Sequence, residues 1–301
     1  MPASPRDSDT VAALLEDATE GISESRSIDH WLPSMARYDA EELMAAVLGT
    51  TLTARARRAA LTPAQLRRYR TMVARRMAGQ PVAQIVGSIR FRGLELRLRR
   101  GVFGPRSSSE FLAAEAIAVL RRRRGDRLAV DVATGSGPVA LAVAHEVPGA
   151  EVWGVDISAP AIRLGRDNAR RLRISNAHFR VSDMVDALPS RMRGAVDVFT
   201  IHPPYVARRE IRTLPREIRD FEPLHSLTDG SDDGLGLVRR LAAESGEWLR
   251  PGGVLLVEVG TYLSRSAQAV LRRAGLVDVA WKKDSLGVTR VVSGRQPRSR
   301  A

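Results

Sequence analysis

Three carboxylates and one imidazole carry the chemistry that this chain shows first. Asp131 lies at the end of the apolar run LAVDVA, Asp156 ends EVWGVD, and Asp183 closes AHFRVSD. A carboxylate accepts hydrogen bonds on two oxygens, so an acid in such a place suits a pair of ribose hydroxyls or an exocyclic amine. Asp156 follows Asp131 by roughly 25 positions, which fits an acid that takes ribose hydroxyls one strand further on. Between them runs DVATGSGPVALAVA. Gly135 and Gly137 permit tight turns and close approach of a ligand. The helix starting near Pro138 offers free backbone N–H groups. Asp183 can accept from an adenine amino group, and Met184 can lie against the ring. A fourth run, VDVFTI, ends in His202, Pro203, Pro204 and Tyr205. Neutral imidazole offers one acceptor and one donor, the two prolines make a rigid turn that fixes a backbone carbonyl, and Tyr205 offers a flat face.

The elements that must hold these groups alternate. From about Ser107 onward the pattern predicts helices over 111–120, 138–146, 159–173 and 235–249. The runs quoted above, with GVLLVEVG, read as strands between them. Near-continuous apolar strands separated by helices imply a parallel sheet covered on both faces. The closing stretch LVDVAWKKDSLGVTRVVSG reads as a pair of strands. An α/β, Rossmann-like domain with seven strands, the last pair antiparallel, is the expected fold. Three readings of its ligand remain open at this level: none, a nicotinamide dinucleotide, or S-adenosylmethionine (SAM). The acidic strand ends favour a nucleoside, and the dinucleotide loop ordinarily has a third glycine where Val139 or Ala140 stands. SAM is the reading carried forward. Its binding residues would be Asp131, Ala133, Thr134, Gly135, Ser136, Gly137, Asp156, Ile157, Asp183, Met184 and His202.

The front of the chain has another character. Residues 1–25 are polar and read as a flexible, at most partly helical start. YDAEELMAAVLG predicts a helix capped by Asp39 and ended by Gly49. LTPAQLRRYRTMVARRMAG predicts a second, with Thr62 and Gln65 as a capping box, Pro63 in the first turn and Gly79 as the stop. Leu66, Met72 and Met77 read as core. IRFRGLELRLRRGVF alternates apolar and polar residues and predicts a two-stranded ribbon turning near Gly93. The expected division is therefore a flexible start (1–25), a helical substrate-recognition domain (26–80), a ribbon linker (81–104), a methyltransferase-type domain (105–295) and a basic tail (296–301).

The chain of 301 residues carries a formal charge of +13, and only Lys282 and Lys283 are lysines. Such an arginine-rich surface attracts polyanions, and genome composition is the competing account. No apolar run reaches the length of a membrane span, and MPASPRDSDT has no signal-peptide core. The absence of cysteine excludes disulfides and thiolate metal sites and accords with a cytoplasmic home. His30, His145, His178 and His225 lack metal-ligand spacing and read as ordinary surface or helix residues.

Taken in order, DAEELMAAVLG, GQPVAQIVGSIRFRG, GVFGPRSSSE, DVATGSG, VDIS, HPPY, FEPLHSLTDGSDDGL, LRPGGVLLVEVG and KDSLGVTRVVSG resemble the HemK/PrmC family of protein-(glutamine-N(5)) methyltransferases. The resemblance spans about Asp39 to Gly294. It implies SAM as cofactor and the side-chain amide of a glutamine in a release factor or ribosomal protein as acceptor. It also implies that the turn from His202 to Tyr205 is the catalytic and substrate element. Glu222, with Asp229 to Asp233, would line the substrate channel, or else form an acidic surface loop, and Glu258 would be a structural partner near the site. Four departures stand out. His202 replaces an asparagine, Ser107 to Ser109 replace Pro-Glu-Thr, Ala133 replaces a glycine, and Leu263 replaces a glutamine. Three outcomes stay open on these residues: glutamine methylation with His202 in the asparagine's role, transfer to another acceptor (small molecule, other side chain or nucleic-acid base), or SAM binding without turnover.

Overall fold

A computed structural model describes residues 10–28 and 35–298. Residues 1–9 of the expected flexible start, His30, and the end of the basic tail (299–301) lie outside the described residues. The chain forms two compact units, Met1–Ser88 with Thr213–Glu222, and Ile89–Arg212 with Pro223–Ala301.

The first unit is helical. Its helices are α1 (Val11–Ser23), α2 (Met35–Leu48), α3 (Ala54–Arg57), α4 (Pro63–Met77) and α5 (Val82–Val86). The start is thus more ordered than its polar composition suggests. Thr10 caps α1 by accepting from the Ala13 N–H, and Val11, Leu14, Leu15, Ala18 and Ile22 bury one face. Apolar residues at helical spacing outweigh the polar majority around them. In α4 the expected capping box is present on Thr62 and Gln65. Thr62→Ala is expected to lower stability by about 1 kcal/mol, read as a shift of the urea midpoint. Met72 joins the core, Leu66 packs against it half-buried, and Met77 is exposed, 39% of its surface open.

Asp39 departs from expectation. It is not a cap, because α2 begins four residues earlier, and it is buried inside the unit. Arg76 of α4, also buried, donates from Nε to Asp39 at 2.6 Å and from Nη1 to Glu217 at 2.7 Å. Glu217 sits on α9 (Arg216–Arg219) in the segment Thr213–Glu222. Gln84 donates to the Phe221 carbonyl at 3.1 Å. These contacts explain why a segment distant in sequence belongs to the helical unit, which a division of the chain into consecutive stretches cannot express.

The second unit is the α/β domain. The hairpin β1 (Ser88–Phe91) and β2 (Leu94–Arg97) turns at Gly93 as expected. Then follow α6 (Ser109–Arg121), β3 (Arg127–Val132), α7 (Pro138–Glu146), β4 (Ala150–Asp156), α8 (Ala159–Leu172), β5 (Ala177–Val181), β6 (Val196–Ile201), α10 (Gly236–Trp248), β7 (Leu249–Glu258), α11 (Ser264–Arg273), β8 (Val277–Lys283) and β9 (Thr289–Arg295). The seven-stranded sheet has the order β5-β4-β3-β6-β7-β9-β8. Its first five strands are parallel, and β9 runs antiparallel to both β7 and β8. Every residue of β6 is buried, as a strand covered on both faces must be. From β3 the chain winds outward through β4 to β5, then returns to place β6 on the other side of β3. At such a reversal a crevice opens beyond the carboxyl ends of the strands.

Candidate active site

That crevice is where the acidic strand ends meet. Asp131 near the end of β3 faces Thr200 of β6 in register, and its carboxylate accepts from the hydroxyls of Thr200 at 2.6 Å and Thr134 at 2.5 Å. Burial pushes this carboxyl up from 3.8 to about 6, against the opposing pull of the two hydroxyls. A folded-state value above the unfolded one means that the folded chain binds the proton more tightly. The contribution of Asp131 to stability therefore declines as pH rises from about 4 through about 6. Asp131→Asn abolishes this titration. The variant should gain stability relative to the parent across that window and hold a constant difference above it, as urea midpoints at stepped pH would show.

The loop after β3 is shaped for close approach. Ala133, Gly135 and Gly137 have φ of +53°, +57° and +83°. A Cβ on Gly137 would lie 2.5 Å from Cε1 of Phe179, so glycine is needed there for space as well as conformation. Ala133 takes the left-handed conformation at a cost of about 1–2 kcal/mol that a glycine would avoid. The hydroxyl oxygen of Ser136 is buried with no hydrogen-bond partner among the described residues, which leaves it for a ligand. Asp156 at the end of β4 accepts from the N–H groups of Gly135 and Ser158, each at 2.8 Å. One N–H on each oxygen leaves a further lone pair on each for a diol. Burial also raises the Asp156 carboxyl. Ile157, Met184 and Ser182 complete this side of the cleft.

Asp183 lines the same cleft, but its Oδ1 accepts from Arg240 of α10 at 2.7 Å. The arginine partner comes from a helix far along the chain, so sequence gave no warning of it. An adenine amine would share this carboxylate with Arg240.

The turn after β6 stands at the next carboxyl end. The His202 ring lies between Tyr205, stacked at 5.7 Å between centroids, and Phe103, edge-on at 5.9 Å. Its Nδ1 is 3.1 Å from the Ser109 hydroxyl and 3.7 Å from Oε2 of Glu258. Burial lowers the affinity of this imidazole for a proton, Glu258 works against that, and Arg106 reinforces it. The Pro204 carbonyl accepts from the Asp229 N–H at 3.1 Å. Among the described residues no protein donor reaches the Pro203 carbonyl. Gly234, at φ +69°, comes so close that a Cβ there would be 1.9 Å from the Tyr205 carbonyl oxygen. Asp229 also accepts from Ser231 and Leu237, and Asp233 from Leu235 and Arg239. These two acids therefore brace the turn and the start of α10.

His202 and Pro204 line the cleft together with the cofactor-loop residues. Glu222 does not. It is buried and belongs to the helical unit. Sequence reasoning did not name Val102, Phe103, Arg106 and Ser109 as site residues, although Ser109 stood out as a departure, nor His225, read as an ordinary histidine; all line the cleft. GVFGPRSSSE carried a signal for the first four only through its resemblance. Nothing in the spacing marked His225. Among the described residues no cluster of histidine and acidic side chains could hold a metal.

The strand order, the glycine loop and the acidic strand ends define a Rossmann-like methyltransferase. Residues 126–258 match the model of a methyltransferase domain, and residues 33–87 match the PrmC N-terminal domain. A release factor glutamine methyltransferase of Bradyrhizobium diazoefficiens is 36% identical over 267 residues, 87% of this chain and 88% of that protein. One of Geobacter sulfurreducens is 32% identical over 288 residues, 95% and 96% of the two chains. Among solved structures, a 16S rRNA methyltransferase of T. thermophilus in complex with AdoMet and guanosine shares the fold, with a TM-score of 0.50 at 21% identity over 69% of this chain and 49% of that one. The chain belongs to the release factor glutamine methyltransferase family, and it is a SAM-dependent methyltransferase.

Proposed function

We propose that this protein transfers a methyl group from SAM to the side-chain amide nitrogen of a glutamine in a peptide-chain release factor. The observation that carries the reading is the imidazole of His202, which lines the cleft beside the cofactor loop; the Pro203 carbonyl on the same turn would be the second acceptor. An amide nitrogen is a weak nucleophile because its lone pair is delocalised, so its two hydrogens must be held to aim it. Two acceptors on a rigid turn do this, and Tyr205 stacked on His202 keeps the ring in place.

In this reading Asp156 takes the ribose hydroxyls, and the loop from Ala133 to Gly137 receives the amino-acid part of the cofactor. Met184 and Ile157 flank the base. SAM supplies an electrophilic methyl on a sulfonium. The chain's own residues orient the acceptor and exclude water.

A release-factor substrate supports a cytoplasmic location near the ribosome. A groove lined by Arg122, Arg123, Arg124, Arg250, Arg295 and Arg298 supports proximity to RNA. Asp197, which accepts from Arg123 and Arg250, offsets only part of that charge. No helix among the described residues is long and apolar enough to cross a membrane.

The test is transfer of labelled methyl from SAM to a purified class-1 release factor, and separately to a lysate of the source cell. Label on a release-factor glutamine supports the reading. Label elsewhere, with the release factor blank, assigns another acceptor. His202→Asn should keep or raise glutamine methylation, since the asparagine carbonyl accepts the same hydrogen. A complete loss in that variant would give His202 a different chemistry.

A further inference from the structure

The His202 site contains a buried carboxylate that the methyl-transfer reading does not use. Oε2 of Glu258 is buried and has no hydrogen-bond partner among the described residues. The carboxylate's other oxygen accepts from the Ser108 hydroxyl at 2.7 Å. The unpartnered oxygen stands 3.7 Å from Nδ1 of His202. On the ring's other side no protein group bonds Nε2 among the described residues, and the ring lines the cleft.

A neutral imidazole carries its hydrogen on one nitrogen, and the partner of that nitrogen decides which. With hydrogen on Nε2, Nδ1 could accept from the Ser109 hydroxyl, but its lone pair would still lie 3.7 Å from the unpartnered Glu258 oxygen, two acceptors together in a buried place. With hydrogen on Nδ1, that conflict vanishes. The N–H has the Ser109 oxygen at 3.1 Å and the carboxylate behind it, and Nε2 turns a lone pair to the cleft. The charged and titratable groups around the ring are Glu258 at the end of β7, Arg106 ahead of α6, and Tyr205 on the turn itself. Only Glu258 favours hydrogen on Nδ1.

We propose that Glu258, with Ser109, is a positioning residue that holds His202 as the Nδ1–H tautomer, so that Nε2 accepts a hydrogen of the acceptor amide and takes it as a proton during transfer. This rests on the glutamine reading above. The nitrogen–carbon bond forms as the sulfur–carbon bond breaks, and its electron pair stays on sulfur. The amide hydrogen bonded to Nε2 leaves as a proton, and the resulting imidazolium faces the Glu258 carboxylate. In the asparagine-bearing pattern a carbonyl fills the acceptor role and has no comparable basicity. Ser108 and His202, both departures from the family pattern, meet at the Glu258 carboxylate.

The direct test needs no turnover. Long-range proton–nitrogen correlation on protein labelled at its histidines reports the tautomer, with His202→Asn assigning the signal. The expected result is hydrogen on Nδ1 and a bare Nε2, shifted toward the other tautomer in Glu258→Gln. Hydrogen on Nε2 in the parent overturns the proposal. The second readout is the pH dependence of kcat with the release factor as substrate. The parent should lose activity on the acid side as His202 takes a proton. His202→Asn should lack that limb. Glu258→Gln should move it to lower pH and lower kcat about tenfold, with SAM affinity within about twofold. A limb that persists in His202→Asn, or an unchanged profile in Glu258→Gln, overturns the proton-accepting role. If the tautomer is as stated but no release factor is labelled, the substrate reading fails and the positioning of His202 stands. The opposite pair of results separates them the other way.

Discussion

Arg76→Ala is expected to lower the stability of the protein by about 3–5 kcal/mol, the cost of leaving a buried carboxylate without its partner. The arginine is held by Asp39 and Glu217, and both it and Asp39 keep only 5% of their surface exposed. Removing the guanidinium leaves Asp39 as an uncompensated buried charge and frees the segment Thr213–Glu222 from one of its ties to α4. Arg76→Lys tests geometry against charge. A point-charge ammonium cannot reproduce the fork that serves two carboxylates at once, so lysine should recover only part of the loss. Urea denaturation of the three proteins reads the result. A loss under 1 kcal/mol in Arg76→Ala would mean that Asp39 escapes to water and that the buried pair is not what holds the segment.

Asp156→Ala is expected to weaken SAM binding by about 100- to 20,000-fold with the fold retained. Two hydrogen bonds to a charged group contribute about 1.5–3 kcal/mol each, and each 1.4 kcal/mol is a factor of about ten in the dissociation constant. The same side chain holds the N–H groups of Gly135 and Ser158, so its removal also releases the glycine loop. Asp156→Asn keeps one acceptor oxygen and should fall between the two. Calorimetric titration with the demethylated product cofactor gives the affinities, and circular dichroism checks the fold. An affinity within threefold of the parent would remove Asp156 from the cofactor site and place the ribose elsewhere along the strand ends.

The α/β domain was legible because its signals are local. The strands of the parallel sheet are nearly continuous apolar runs, and each carboxyl end is punctuated by an acid or a proline. Pro138–Glu146 reads as a helix in sequence and is one in space. The closing stretch likewise read as a pair of strands, and their antiparallel course followed from the pattern of the seven-stranded methyltransferase fold. Asp131, Ala133, Thr134, Gly135, Ser136, Asp156, Ile157, Asp183, Met184, His202 and Pro204 were named from the sequence, and all line one cleft. A parallel sheet forces this outcome, because its strand ends share one edge.

The rest depended on contacts between distant parts of the chain. Asp39 looked like a cap because an acid just ahead of an apolar helical face usually is one. Only the buried Arg76 from another helix shows it to be half of an ion pair. Thr213–Glu222 follows the turn from His202 to Tyr205 in sequence, yet its ties to Arg76 and Gln84 place it, and Glu222 with it, in the helical unit. His202 could be recognised as a departure from the family pattern, but the meaning of the departure required Ser109 from α6 and Glu258 from β7 in three dimensions. Sequence determines which atoms can donate or accept and how the backbone runs locally. The hydrogen an imidazole carries, and the lone pair it presents, are set by partners about 90 and 56 positions away that only folding brings within 4 Å.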